Sequence, residues 1–102
     1  MSRERKISTE LKKLREIFKD IEEKKRKTVE PLIENAAFMT VELRKLQKYI
    51  EQNGCTETYQ NGENQKGKKK SSEVEVYNTM IKNFTAIIKQ LTDLLPEGED
   101  TK

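Results

Sequence analysis

Two apolar series with the same spacing constrain the fold of this chain more than any other feature. Each series alternates intervals of four and three residues, which is the spacing of a coiled-coil seam. The first series is Leu32, Ala36, Met39, Leu43, Leu46 and Ile50, and the second is Tyr77, Ile81, Phe84, Ile88, Leu91 and Leu95. We therefore predict an all-α fold in which two helices, at about 31–53 and 72–95, pack as an antiparallel hairpin.

Local signals mark the ends of these two helices. Gly54 can adopt the left-handed conformation that stops the first one. Ser72 and Glu75 have the S-x-x-E form of a capping box at the start of the second, and Pro96 ends it. We expect the remaining acidic tail, 96–102, to be disordered.

An additional N-terminal helix is predicted at about 9–28. Its apolar stripe recurs at spacings of three and four in Leu11, Leu14, Phe18 and Ile21. Pro31 then indicates either a break or a sharp kink in one long helix, because a proline in a helix interior removes a backbone hydrogen bond and clashes with the preceding turn.

The stretch 55–71 is polar and contains two glycines. Asn61 and Gly62 could turn the chain between two short arms, TETYQ and ENQK, and so form a hairpin. The arms lack apolar alternation, which favours a flexible polar loop instead. The whole chain, 1–102, is then one small helical domain.

The core of such a domain is thin, because only 32% of the 102 residues are apolar and 38% are charged. The second long helix carries a further apolar stripe beside its seam, consisting of Val76, Met80, Ile87 and Leu94. The two stripes together are wider than the face that one partner helix covers. We therefore expect homo-oligomers, with the extra stripe against another subunit.

Catalysis and metal binding have little support in the composition. The chain has no histidine, which is the commonest general base and metal ligand. Cys55 is its single cysteine, so neither a structural zinc site nor an internal disulfide is expected, and an intracellular, reducing setting fits. We expect a non-enzymatic cytoplasmic protein without a cofactor, a secretion signal or a membrane span.

Positive charge gives the better functional lead. Residues 1–30 hold 11 Lys/Arg against 7 Asp/Glu, whereas residues 72–102 hold 3 against 6. Two basic clusters are candidates for DNA phosphate contacts: Lys24, Lys25, Arg26 and Lys27 form the first, and Lys66, Lys68, Lys69 and Lys70 form the second. The alternative is a solvated face, and lysines at the end of the first predicted helix would also suit its dipole.

Three segments resemble a known family. They are AAFMTVELRKLQKYIEQNG (Ala36 to Gly54), YQNGENQKG (Tyr59 to Gly67) and SSEVEVYNTMIKNFTAIIKQLTDLLP (Ser71 to Pro96). Together they are similar to the terminase small subunits of tailed phages and to related prophage proteins. The resemblance covers roughly residues 30–96, and its most specific part is VYNTMIKNFTAIIKQLTDLLP.

The resemblance implies a role in phage DNA packaging in a bacterial host cell. Small terminase subunits are generally helical, assemble as oligomeric rings, bind double-stranded phage DNA and present it to the large ATPase–nuclease subunit. The family has no catalytic residues to carry over. The alternative hypothesis is a structural or interaction protein of prophage origin, built on the same helical hairpin, that does not bind DNA.

Overall fold

The computed structural model describes residues 2–60, 62 and 66–96, most of which are helical. In chain order the elements are α1 (Arg3–Ile17), α2 (Glu23–Asn53), β1 (Thr56–Gln60), β2 (Lys66–Lys70) and α3 (Ser72–Thr92). The prediction of a mainly helical fold is confirmed, with a small two-stranded sheet in addition. The predicted end of α2 at Asn53 and start of α3 at Ser72 are also confirmed, whereas α1 begins at Arg3 rather than near residue 9 and α3 ends at Thr92 rather than near residue 95.

The boundary between the first two helices was predicted in the wrong place. α1 ends at Ile17 rather than near residue 28, and the chain turns over 18–22. The Ile21 amide donates to the Phe18 carbonyl at 3.3 Å within this turn. Phe18 and Ile21 are 4% and 5% exposed. The turn thus places both side chains in the core, and their spacing of three is as compatible with it as with a helix.

Pro31 does not break α2, which continues through it to Asn53. Because proline has no amide hydrogen, the Lys27 carbonyl loses its bond within the helix, and an interior proline costs about 3 kcal/mol. Pro31 and Lys27 are both exposed, so water can reach this carbonyl. Ile33 and Ala36, which follow within two turns, are fully buried, and their packing offsets the cost.

α1 and α3 each run antiparallel to α2. Near the start of α1, Arg3 lies 2.8 Å from Glu42, and near its end Arg15 pairs with Glu30. At the start of α3, the Tyr77 hydroxyl accepts a hydrogen bond from the Gln47 amide at 3.1 Å. α2 is therefore the central helix and the one that both others contact.

The core lies where the α1–α2 turn meets the end of α3. Its buried cluster consists of Phe18, Ile21, Ile33, Ala36 and Leu91. Partly buried side chains surround the cluster, namely Leu11, Leu14, Val29, Leu32, Phe84, Ile87, Ile88, Leu94 and Leu95. Most of these residues belong to the predicted apolar stripes, so the periodicity identified the core side of each helix correctly.

Because α2 packs against both α1 and α3, it needs two apolar faces. The apolar series predicted from the sequence provides one of them. Ala36 and Leu43 of that seam are buried, while Leu32, Met39, Leu46 and Ile50 are partly buried. A second stripe at intervals of four, Ile33, Ala37 and Val41, is also buried. Phe38 and Tyr49, which lie off the predicted seam, remain 38% and 40% exposed.

The predicted loop over 55–71 contains an antiparallel hairpin instead. β1 and β2 pair from Thr56 opposite Lys70 to Gln60 opposite Lys66. The first arm agrees with the alternative hairpin considered from the sequence, and the described second strand is KGKKK; residues 63–65 of the predicted arm ENQK lie outside the described residues. Backbone pairing creates this ladder, which explains why side-chain periodicity did not predict it. Gly62 has a φ of 97°, in the left-handed region that favours glycine.

The molecule is elongated along α2. Its radius of gyration is 18.4 Å, compared with about 13 Å for a compact domain of this size. The overall dimensions are 62 × 28 × 27 Å. α2 has 31 residues and is about 46 Å long. The β-hairpin begins just beyond the last turn of α2, so it lies at the end opposite the α1–α2 turn. Of the predicted acidic tail, 97–102 lie outside the described residues.

Candidate nucleic-acid interface

The two predicted basic clusters lie at opposite ends of α2. Lys24 to Lys27 occupy its first two turns, and β2, Lys66–Lys70, follows its last residue by way of β1. The length of α2 separates the two clusters by about 46 Å. The structure therefore does not bring them together, and each must be judged as a separate site.

Half of the first cluster has structural contacts. Arg26 Nη1 donates to the carbonyl oxygens of Lys19 at 2.9 Å and Ile21 at 3.2 Å, so this side chain caps the α1–α2 turn. Lys27 lies 3.4 Å from Glu23. Lys24 and Lys25 are exposed, and neither forms an ion pair within the described residues. Only these two remain as candidate phosphate contacts.

This cluster lies at the opposite end of a helix from the one that the sequence predicts. The predicted position was the end of the first helix, where cations suit the helix dipole. In the structure the cluster follows Glu23, the first residue of α2. The amino-terminal end of a helix carries partial positive charge, which disfavours lysine and arginine. The dipole thus gives no structural reason for these cations to be here.

The β-hairpin sorts its side chains onto two unlike faces. Residues directly opposite each other in an antiparallel ladder lie on the same face, and successive residues alternate. Thr56 is paired with Lys70 and Thr58 with Lys68, so these four share one face, and all are exposed. Ammonium and hydroxyl groups are typical donors to phosphate oxygens. We refer to these four residues as the lysine–threonine face.

The opposite face attaches the hairpin to α3. Glu57 lies across from Lys69, with their charged atoms 3.9 Å apart. The other oxygen of Glu57 accepts a hydrogen bond from the Ser72 amide at 3.1 Å. Since Glu57 contacts α3, the lysine–threonine face on the other side of the sheet is directed away from that contact.

Ser71 also joins the hairpin to α3, and it caps this helix in place of the predicted residue. Its amide donates to the Cys55 carbonyl at 3.0 Å, and its hydroxyl accepts from the Val74 amide at 3.2 Å. Ser71 is 2% exposed and is the N-cap of α3, one residue before the predicted capping residue Ser72. The hairpin is polar, and an isolated two-stranded hairpin is marginal in water. These bonds to α3 are what orient it.

A separate apolar groove of about 720 Å³ lies between α2 and α3. Its apolar lining consists of Phe38, Met39, Val76, Met80 and Ile87. Of the stripe expected to face another subunit, Ile87 and Leu94 pack against the core, whereas Val76 is 49% exposed. Part of the extra stripe is therefore satisfied within the chain, and the part near the hairpin end is not.

No protein-family model, curated protein or solved structure matches this chain. Within 2–60, 62 and 66–96, no group of three or more histidine, cysteine, aspartate or glutamate side chains is arranged to hold a metal ion. None of the helices in the same ranges has the length and apolar character needed to cross a membrane.

Proposed function

We propose that this chain is a non-catalytic phage or prophage DNA-packaging protein of the terminase small-subunit type, which contacts the DNA backbone through its β-hairpin. The observation that carries the proposal is the lysine–threonine face. It presents Lys68 and Lys70 beside two hydroxyl groups, on a hairpin that hydrogen bonds orient against α3. The packaging role itself is supported by the resemblance of residues 30–96.

The residue types favour contact with phosphates rather than with base edges. A lysine ammonium is a flexible point charge, which binds phosphate without the bidentate geometry that arginine offers to guanine. Phosphate contacts position a protein on the duplex without reading its sequence. The proposed binding is accordingly independent of sequence and strongly dependent on salt.

Self-association would multiply these contacts. Of the residues of α3, which is described in full, only Leu91 is buried, so much of its apolar surface lacks a complete partner. The groove containing Phe38 and Val76 offers an apolar surface to a second copy. Several hairpins on one assembly would bind a duplex more tightly than one hairpin, by effective concentration. On this proposal the assembly presents DNA to a large terminase subunit. The acidic tail either contacts that subunit or serves only to keep the protein in solution.

The same groove supports a second candidate function, a structural or interaction protein that does not bind DNA. Exposed Phe38 and Val76 suit a protein partner whether or not the lysines bind anything.

DNA binding as a function of salt tests the main proposal. We expect the wild-type chain to bind duplex DNA at low salt, with an affinity that falls steeply as salt is added. Lys68→Gln with Lys70→Gln should reduce the slope of log K against log salt by about 1.8, since each phosphate contact contributes about 0.9. Lys82→Gln with Lys89→Gln on α3 removes equal charge and should leave the slope unchanged. A wild-type chain that does not bind at low salt would favour the second candidate.

Light scattering tests the assembly. We expect the wild-type chain at tens of micromolar to be larger than a monomer and Val76→Lys to be smaller than wild type, because a charge in the apolar groove must be desolvated. Asn78→Lys adds the same charge at an exposed position of α3 outside the groove lining, and it should leave the mass unchanged. A monomeric wild-type chain would rule out the assembly.

A further inference from the structure

A second groove of about 790 Å³, lined mainly by charged residues, lies between the first half of α1 and the last half of α2. It leaves no local pattern in the sequence, because its two walls come from the distant segments 3–10 and 41–51. Five cations line it: Arg3, Lys6, Arg44, Lys45 and Lys48. Three carboxylates also line it: Glu10, Glu42 and Glu51. The question is which of these charges are already paired.

The two arginines are engaged by two of the carboxylates. Arg44 Nη1 lies 2.7 Å from Glu10 Oε2. Arg3 Nη2 lies 2.8 Å from Glu42 Oε2, and its guanidinium also lies over the Phe38 ring at 5.1 Å. Both ion pairs join α1 to α2. They hold the groove together and neutralise most of its negative charge.

The three lysines have no such partners. Lys6, Lys45 and Lys48 are exposed, and within the described residues none of them forms an ion pair or a side-chain hydrogen bond. Lys45 and Lys48 are three residues apart on α2 and therefore lie on one face of the helix. Lys6 lies on the opposite wall, so positive charge is present on both sides of the groove.

This groove lies at the same end of the molecule as the hairpin. Lys48 precedes Gly54, where α2 ends and the chain enters β1, by less than two turns. The other predicted cluster, Lys24 to Lys27, lies at the far end of the same helix. The lysines of the groove and those of the lysine–threonine face therefore share one end of the molecule.

We propose that Lys6, Lys45 and Lys48 form a second binding site for the sugar–phosphate backbone of a DNA duplex, which the duplex contacts together with the hairpin. This inference rests on the proposed function. Like charges placed close together repel one another, and a row of phosphates relieves that repulsion while releasing counterions from the DNA. The arginines, held by Glu10 and Glu42, keep the two walls in register for this contact.

The test compares wild type, three variants and a combination of the first two variants, all as the full chain, on one fluorescent duplex over a range of salt concentrations. The first is the groove variant Lys6→Gln/Lys45→Gln/Lys48→Gln. The second is the hairpin variant Lys68→Gln/Lys70→Gln. The third is the control Lys12→Gln/Lys82→Gln/Lys89→Gln, which removes three exposed lysines that do not line the groove. All these side chains are exposed, so the substitutions should not affect folding. Circular dichroism checks that each variant keeps the helical content of wild type.

We expect the groove variant to lose about 2.7 from the salt slope and roughly tenfold or more in affinity at low salt, with the control close to wild type. Combining the groove and hairpin changes should lower the slope further than either set alone. If wild type binds and the groove variant behaves as the control does, the groove is not a DNA site, although the hairpin proposal survives. If wild type itself fails to bind, the proposed function and this inference both fail.

Discussion

The two ends of α2 are stabilised by different interactions. Near its start, Ile33 and Ala36 pack against the α1–α2 turn and against Leu91 of α3, and all three are fully buried. Beyond its last residue, the chain forms a polar hairpin that hydrogen bonds join to the start of α3. The main cluster of buried apolar side chains, whose burial dominates folding, therefore lies toward one end, with buried Val41 and Leu43 nearer the middle of α2. The other end presents charge to solvent.

Basic residues also differ in role between the two ends. At the core end, Arg26 caps the turn and Lys27 pairs with Glu23. At the hairpin end, Lys68 and Lys70 have no ion-pair partner within the described residues. A run of lysine and arginine in a sequence is therefore not one kind of feature. Here Arg26 and Lys27 have structural contacts, whereas Lys24 and Lys25 form no ion pair within the described residues. On the hairpin, Lys69 lies near Glu57, whereas Lys68 and Lys70 are exposed.

The largest expected effect comes from truncating the core end. Ile33→Ala should lower the free energy of unfolding by about 2–5 kcal/mol, because a fully buried isoleucine leaves a cavity. Ile17→Ala removes the same atoms from a residue that is 56% exposed and should cost about 1 kcal/mol or less. Urea denaturation at one protein concentration measures both. Equal losses would show that Ile33 is not buried in the core as described.

Arg26 provides the next test. Arg26→Gln should lower the free energy of unfolding by about 1–2 kcal/mol, since hydrogen bonds from a charged group to the turn carbonyls are lost. Lys25→Gln, at the neighbouring exposed position, should change it by less than about 0.5 kcal/mol. If the two variants are equally stable and both bind DNA less tightly, Arg26 is a ligand residue and its capping role is wrong.

Ser71 tests the attachment of the hairpin. Ser71→Ala removes the hydroxyl that accepts from the Val74 amide, so it should cost about 1 kcal/mol of stability. The change should also speed amide hydrogen exchange in β1 and β2, because their attachment to α3 depends on this cap. Ser72→Ala is the matched control, since Ser72 is exposed and is not the cap. Unchanged exchange in the strands would mean that the hairpin is held by other contacts.

The smallest expected effect depends on pH. Burial acts to raise the pKa of Glu10, but the hydrogen bond and charge of Arg44, together with Lys13, outweigh it, so the pKa lies below its ordinary value. The pair therefore stabilises the fold above the unfolded-state pKa, and its contribution is lost as the pH falls through the folded-state value. Because such pairs are screened by solvent, the contribution is below about 1 kcal/mol.

Measuring the free energies of unfolding of wild type and Glu10→Gln at neutral and acidic pH tests this direction of the pH dependence. The stability difference between wild type and Glu10→Gln should be present at pH 7 and shrink in acid. A stability difference that persists in acid would contradict the assignment of the Glu10 contribution to its ionised form.

The sequence predicted those parts of the fold that apolar periodicity specifies. The end of α2, the start of α3 and the core side of each helix follow from spacing and from Gly54. The α1–α2 turn was missed because Phe18 and Ile21 keep helical spacing through a turn. The hairpin was only the less favoured alternative because its pairing involves backbone groups, which leave no pattern in a polar strand.

The candidate site was only partly predictable for a similar reason. The exposed lysines of β2 are visible in the sequence, but their sorting onto one face with Thr56 and Thr58 depends on the register of the ladder. The structural role of Arg26 depends on two carbonyls that become neighbours only when the chain turns. Assembly and DNA binding remain predictions.

The most direct test of the central claim compares the two ends in one experiment. Lys68→Gln/Lys70→Gln and Lys24→Gln/Lys25→Gln each remove two exposed lysines, one pair from either end of α2. The slope of log K against log salt for duplex binding should fall by about 1.8 for Lys68→Gln/Lys70→Gln. It should stay near the wild-type value for Lys24→Gln/Lys25→Gln. An unchanged slope for the first of these variants, or a larger fall for the second, would contradict the account.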